Sequence, residues 1–497
     1  MNTRVYASLK YILLAALLVM PVFGFLDTLP IRMWDEARIA CNALQMYHDG
    51  DYLVTHLNFC PEMWNTKPPL LIWLQVFFMH TIGPNEIAIR LPSALATFGI
   101  CFAILVFSIR YLKNFWFAFI TILTLITTEG FVTEHVSRTG DYDALLTLFT
   151  TVSSLFFYAY SETKKTKFLY LFFTCLLLAT YTKGVAGMLF TPALFLYALF
   201  QKQILPLIKN KHFYIGFFSF LVLILSYYLL RETQNPGYIQ AVSENELGGR
   251  FLVAQGEQQS DFFFYLDWIK NYHFPEKYLL IPCGLIVGMA SRDRRIKHFS
   301  FFLTLLIFTF FIIISTAKTK LIWYDAPLFP LFAFSVALLV HFIFDFLQNS
   351  DFIKQKLSSN VLPYLLLFLL FVIPYKNVWS KTYFPLEYSW DAEPYEIGYF
   401  LKNAIKGKYD LNNTYFVAEG YNAQNFFYTD ILNDKGVKTY YKDYKQLEKG
   451  DVVYAYQGNI RFYITQNYEC KEKTGQSTVK IYTIYGPKKD APAAPTP

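Results

Sequence analysis

Four carboxylates and a scatter of cations stand out in a chain that has few of either. WDEAR puts Asp35 beside Glu36 with Arg38 three residues on, SRTGDYDALL puts Asp141 two residues before Asp143, and NTKPP sets Lys67 before two prolines. A carboxylate so placed can take a proton from a hydroxyl as a general base, and Lys and Arg grip phosphate oxygens with charge-assisted hydrogen bonds. Further cations lie in YTKGVAG (Lys183), NELGGRF (Arg250) and AKTKLIWYDAP (Lys318 and Lys320), the last continuing into Tyr324. Pro68 and Pro69 stiffen the backbone that displays Lys67, and TKG reads as a two-residue turn too short to hide Lys183. Together these residues describe a pocket for an anion, most readily a phosphate, next to carboxylates.

Plainer readings compete residue by residue. Asp35 is a natural N-cap and Glu36 suits a helix dipole. Capping accounts for one of Asp141 and Asp143 more comfortably than for both. A single cation at a membrane edge can snorkel. His135, beside Glu134, reads as an interfacial contact rather than a metal ligand, and no spacing resembles a zinc site.

The elements that must position these groups are apolar. The 497 residues are 54% hydrophobic and 16% charged, against roughly 25% charged in soluble domains. About eleven apolar runs are long enough to span a bilayer, from Tyr11–Leu29, a retained anchor, to Val361–Trp379. Cation-dense connections at Arg110–Lys113, Lys164–Lys167, Lys202–Lys211, Arg292–Lys297 and Lys354–Lys356 alternate along the chain. The positive-inside rule then puts the N-terminus in the cytoplasm and 30–86, 231–277 and everything after Trp379 outside. Every candidate residue falls on that outer face. The net charge of +7 follows from the loops and calls for no nucleic acid. Glu36–His48 reads as an amphipathic helix on the outer surface. From Phe384 the composition turns polar: TYFVAEG, DVVYAYQ and TVKIYTIYG read as strands, and Asp391–Lys406 and Ala423–Asp434 as helices. The organisation expected is a membrane domain over 1–383, a small α/β domain over 384–488, and a disordered tail over 489–497. Cys41 and Cys60 share the first outside segment, where a disulfide is one of two open possibilities.

The succession WDEAR, NTKPPLLIW, NEIAIRLPSAL, SRTGDYDALLTLF, YTKGVAG, NELGGRF and KTKLIWY resembles the GT-C polyprenyl-phosphate-sugar glycosyltransferases. Within them it is similar to the bacterial branch of lipid A aminoarabinose transferase and protein O-mannosyltransferase-like enzymes. The resemblance covers about residues 10–345, and the DEAR and KPP pair is its most specific part. It implies a mainly α, polytopic GT-C fold of about 11–13 transmembrane helices, with Asp35 as catalytic carboxylate and Asp143 as the second acidic site. Arg38, Lys67, Arg250, Lys320 and Tyr324 would surround the donor phosphate, with Glu36, Asp141, Lys183 and Lys318 as further candidates. Many relatives carry a histidine soon after the NELGGRF-like motif, where this chain has Gln258, Gln259 and Asp261.

The activity this resemblance implies is an inverting transfer of sugar from an undecaprenyl-phosphate donor to a lipid or protein acceptor, at the periplasmic face of a bacterial inner membrane. A lipid monophosphate leaving among cations needs no metal, so no cofactor is expected, although a divalent ion is not excluded. The alternative is a transporter or flippase of lipid-linked sugars.

Overall fold

The computed structural model describes residues 3–132, 135–248, 261–350, 361–385, 392–473 and 478–488. Among these, seven helices are long and apolar enough to cross a membrane: Glu86–Leu112, Asp143–Thr163, Thr166–Met188, Lys211–Gln234, Arg294–Thr316, Ile322–Asn349 and Leu362–Tyr383. Five shorter apolar helices accompany them, Ser8–Phe23, Leu70–Ile82, Phe115–Ile126, Thr191–Phe200 and Leu280–Ala290. One of these, Leu70–Ile82, lies inside the first outside segment, where no apolar helix was expected.

The helices are not equivalent. The apolar windows of Asp143–Thr163 and Ile322–Asn349 are 78% buried, against 22% for Lys211–Gln234. The last turns Phe218, Val222, Leu225 and Leu229 outward, as a lipid-facing helix would. The two innermost spans are those whose first turns carry Asp143 and Tyr324. Close helix approach in the centre depends on small residues: a Cβ on Gly284 would lie 1.8 Å from the Ser335 carbonyl oxygen of the neighbouring span.

The polar C-terminal stretch folds as expected in kind. Its five-stranded sheet runs, in order across the sheet, Thr439–Tyr441, Thr414–Phe416, Val452–Ala455, Lys480–Pro487 and Tyr468–Lys473. The first three pair in parallel and the remainder antiparallel. Helices Ala392–Ile405 and Ala423–Asp434 match the two expected.

Two expectations change here. The amphipathic helix runs Asp35–Asp49, but ten of its residues are buried, because Ala423–Asp434 of the C-terminal part packs over it. The Tyr428 hydroxyl binds the Ile31 amide and Glu86, and His48 meets Asp434. All six cysteines are free. Cys41 is buried and donates to the Ala423 carbonyl at 3.1 Å, while Cys60 is exposed, so the two do not form a disulfide.

Candidate functional site

Asp35 owes its place to its neighbour. Trp34 sits at φ 72°, ψ −118°, a conformation that costs an L-residue of order 1–3 kcal/mol. Tyr421 holds it there: the rings stack at 5.1 Å with an interplanar angle of 0°, and the Tyr421 hydroxyl donates to the Trp34 carbonyl at 3.1 Å. Trp34 is therefore the residue at the N-cap position and Asp35 the first helical residue, with no side-chain capping bond. Its carboxylate is left exposed at a cleft. Glu36 does the opposite. Its two oxygens take Arg90 Nε at 2.7 Å, Arg90 Nη2 at 2.9 Å, and the amides of Arg32 and Gly140. Burial alone would raise the Glu36 carboxyl, but the charge and hydrogen bonds of Arg90 hold it below its usual range. Arg90 also donates to the carbonyls of Leu26, Leu29 and Pro30. The pair ties the first span's outer end to the next helix and leaves Glu36 no oxygen for substrate.

The carboxylates of SRTGDYD converge on His135. Its Nε2 lies 3.2 Å from Asp141 and 4.0 Å from Asp35, and its Nδ1 lies 3.8 Å from Asp143. The imidazole lies flat on Trp323, with centroids 3.8 Å apart and planes at 5°. Burial would lower its pKa, yet Asp141, Asp143 and Asp35 together raise it, which favours an imidazolium. Beyond Asp143 the alternation continues. Lys183 donates to Asp143 Oδ1 at 2.6 Å, and its ammonium sits 5.2 Å over the Tyr324 ring. Lys183 is thus buried in an ion pair. The chain turns back at TKG, with Gly184 at φ 55° and Gly187 packed so that a Cβ there would lie 2.5 Å from the Ala179 backbone, yet this short turn does hide its lysine.

Asp35, His135 and Asp141 each offer one ligand atom within 4.8 Å of the others. Asp141 Oδ2 is buried and has no hydrogen-bond partner among the described residues. With the proton displaced from His135, one nitrogen and two carboxylate oxygens form a donor set that suits a divalent ion of the zinc or manganese kind.

Two hollows meet at this cluster. An apolar cavity of about 320 Å³ is walled by Leu146, Val185, Leu189, Phe310, Ile313 and Ile314, with Lys67, Asp143, Lys183, Glu246 and Tyr324 in its lining. A narrow cleft is lined by Asp35, Arg38, Asn65, Asp141 and Trp323. Lys67, Lys183 and Tyr324 line both, so a ligand with an apolar tail and a charged head would bring its head to these three.

The predicted cations do not stand together unpaired. Lys67 faces Glu246 at 3.2 Å, and Arg38 is held by both oxygens of Glu62 at 3.0 and 2.9 Å. Arg38 thus belongs to the Asp35 cleft alone. Lys320 donates to the Ala317 carbonyl at 2.8 Å and lines neither hollow, and Lys318 is exposed. Arg250 lies outside the described residues. Sequence reasoning undervalued His135 and passed over Glu62, Glu246, Arg90 and Trp323. Two signals were available: His135 shares a loop with Asp141, and Glu246 lies inside NELGGRF.

Comparison with known proteins adds a partial family match and a shared fold. Residues 66–228 match the dolichyl-phosphate-mannose-protein mannosyltransferase family. A search of curated proteins finds no match. Among solved structures, ArnT from Cupriavidus metallidurans, bound to undecaprenyl phosphate, superposes with a TM-score of 0.72 over 97% of this chain and 100% of that one, at 14% identity. The chain has the GT-C glycosyltransferase fold. The apo Archaeoglobus fulgidus oligosaccharyltransferase shares it, with a TM-score of 0.55 at 10% identity over 97% of this chain and 74% of its own. The family match spans about a third of the chain, and at these identities the structural likeness is one of fold.

Proposed function

We propose that this protein is an inverting glycosyltransferase that moves a sugar from an undecaprenyl-phosphate donor to an acceptor hydroxyl or phosphate. The observation that carries the reading is the sharing of Lys67, Lys183 and Tyr324 between an apolar cavity and the Asp35 cleft. The isoprenoid tail takes the apolar cavity, the phosphate rests at Lys67 and Lys183, and the sugar projects into the cleft. The acceptor hydroxyl gives its proton to Asp35 and its oxygen attacks the anomeric carbon from the face opposite the phosphate. The bond from that carbon to the phosphate oxygen breaks, and the lipid phosphate leaves with the electron pair and an added charge. Lys67 and Lys183 then face more negative charge than in the ground state, and a preplaced donor of this kind is worth about 3–4 kcal/mol. Asp143 holds Lys183 in place, as the second acidic residue.

Asp35, His135 and Asp141 are the residues that would hold a divalent cation, which would supply positive charge to the cleft. The lipid phosphate in the ArnT structure supports the donor class. The alternation of loop cations supports a bacterial inner-membrane protein with the site and the C-terminal sheet on the periplasmic face. Lipid A, another envelope glycan and a protein hydroxyl all fit as acceptor.

The test is Asp35→Asn with donor binding and turnover measured separately. Loss of a general base lowers kcat by about 10²–10⁴-fold, with donor affinity held within about threefold because Asp35 lies in the cleft and not the cavity. The second reading, a transporter of lipid-linked sugar, which the same phosphate-binding cations favour, predicts that Asp35→Asn leaves sugar movement largely intact.

A further inference from the structure

Lys277 sits away from the donor cavity and shares no lining residue with it. It lies just before the apolar helix Leu280–Ala290, and its partner Thr127 caps the end of Phe115–Ile126, so both stand at the depth where apolar helices give way to headgroups. A lysine there ordinarily snorkels to water. Lys277 does not: it is 8% exposed, and its ammonium donates to Thr127 Oγ1 at 3.1 Å and to the Thr127 carbonyl at 3.4 Å. The nearby Glu129 is engaged by Lys381. Burial, only partly offset by Glu276 and Glu129, lowers the Lys277 pKa to about 8, which still leaves it cationic at neutral pH. Among the described residues no carboxylate forms an ion pair with it, and a buried ammonium so placed is unfavourable unless something supplies an anion.

Beside it opens a cavity of about 240 Å³ whose walls are Leu280, Val336, Val340, Leu369, Phe371 and Pro374. Glu276 lines the same cavity and is exposed. The order from inside outward is therefore hydrocarbon, cation, anion. A lipid headgroup that complements this order is a phosphodiester followed by a primary ammonium.

We propose that this cavity is a binding site for one molecule of phosphatidylethanolamine, its phosphate on Lys277, its ammonium on Glu276 and an acyl chain against the apolar wall. Phosphatidylglycerol lacks the outer cation. Phosphatidylcholine has the outer charge but no N–H to donate to Glu276. The site is independent of the transfer reaction.

Native mass spectrometry of the delipidated full-length protein tests this, with equimolar phosphatidylethanolamine, phosphatidylglycerol and phosphatidylcholine of matched chains. Wild type is expected to retain phosphatidylethanolamine about fivefold over either competitor, and Lys277→Gln, which removes the cation under the phosphate common to all three, to lower retention of each. Glu276→Lys, at an exposed position that folding tolerates, is expected to reverse the order in favour of phosphatidylglycerol. That reversal is a gain a misfolded protein cannot give. Equal retention of the three lipids by wild type, undiminished retention in Lys277→Gln, or phosphatidylethanolamine still ahead in Glu276→Lys would each overturn the assignment.

Discussion

His135 faces Asp141 and Asp143 in a buried set, with exposed Asp35 at its edge, and the three buried groups are held so close that none of their charges can be changed alone. Removing one member of a buried charge set leaves the others uncompensated, at a cost of about 3–5 kcal/mol. His135→Ala is therefore expected to destabilise the protein by about that much. Adding Asp141→Asn in the same background should recover part of the loss, a coupling of about 0.5–3 kcal/mol. Denaturant unfolding of the two single variants and the double variant in detergent measures this, and strictly additive losses would refute the shared-charge account. Asp35, Lys67 and Asp143 were legible from type and motif because each lies at the edge of a strong apolar run. His135 was not, because its environment comes from Trp34–Asp35 and Trp323, one about 100 and the other about 190 residues away. The difference between Asp35 and Glu36 was equally hidden. They are adjacent in sequence, yet one opens to the cleft and the other is consumed by Arg90.

The segment Ile322–Leu328 shows how a short element distributes function. It is a 3₁₀ helix, with three residues per turn, so consecutive side chains point about 120° apart. Trp323 meets His135, Tyr324 lies under Lys183, and Asp325 turns inward to His273 at 2.8 Å. That last pair is nearly inaccessible, with side chains 2% and 0% exposed, and it pins the turn that places the other two. Asp325→Ala is expected to destabilise by about 3–5 kcal/mol and to lower transfer, while Lys381→Ala, which breaks an exposed pair with Glu129, changes stability by at most about 1 kcal/mol. Thermal melts of the two variants side by side give the comparison, and equal shifts would sink it. The proline in IWYDAP announced an irregular span start. Which of its residues would face the site depended on the helix type and on His273, and neither is written in the local pattern.

The C-terminal sheet and its helices reach the end that carries Asp35, and their contacts fix that residue: Tyr421 clamps Trp34, and Tyr428 binds Ile31 and Glu86. One half-buried group on this interface makes the docking sensitive to pH. Burial raises Asp430 to about 6, above the roughly 3.9 of an unfolded chain. Between those values the folded protein binds more protons, so stability falls as pH rises from about 4 to 6 and is flat in this contribution above 6. Asp430→Asn should remove that portion of the pH profile of Tm. Orientation has its own test. Cys60 is exposed, whereas burial raises the Cys41 thiol and keeps it unreactive, so a membrane-impermeant maleimide added to spheroplasts should label Cys60 and spare Cys41. Labelling of Cys60 only after lysis would invert the proposed topology. By itself the sequence determined the membrane class, the one-sided placement of charge, the GT-C resemblance and the mixed C-terminal part. Those come from hydropathy, loop cations and motifs, which are local in the chain. The tertiary structure decided which carboxylate is open and which is tied, that Arg38, Lys67 and Lys183 each have a counter-ion, and that Lys67, Lys183 and Tyr324 border both hollows. Such properties arise only where distant segments exclude water together, and no single stretch of sequence contains that information.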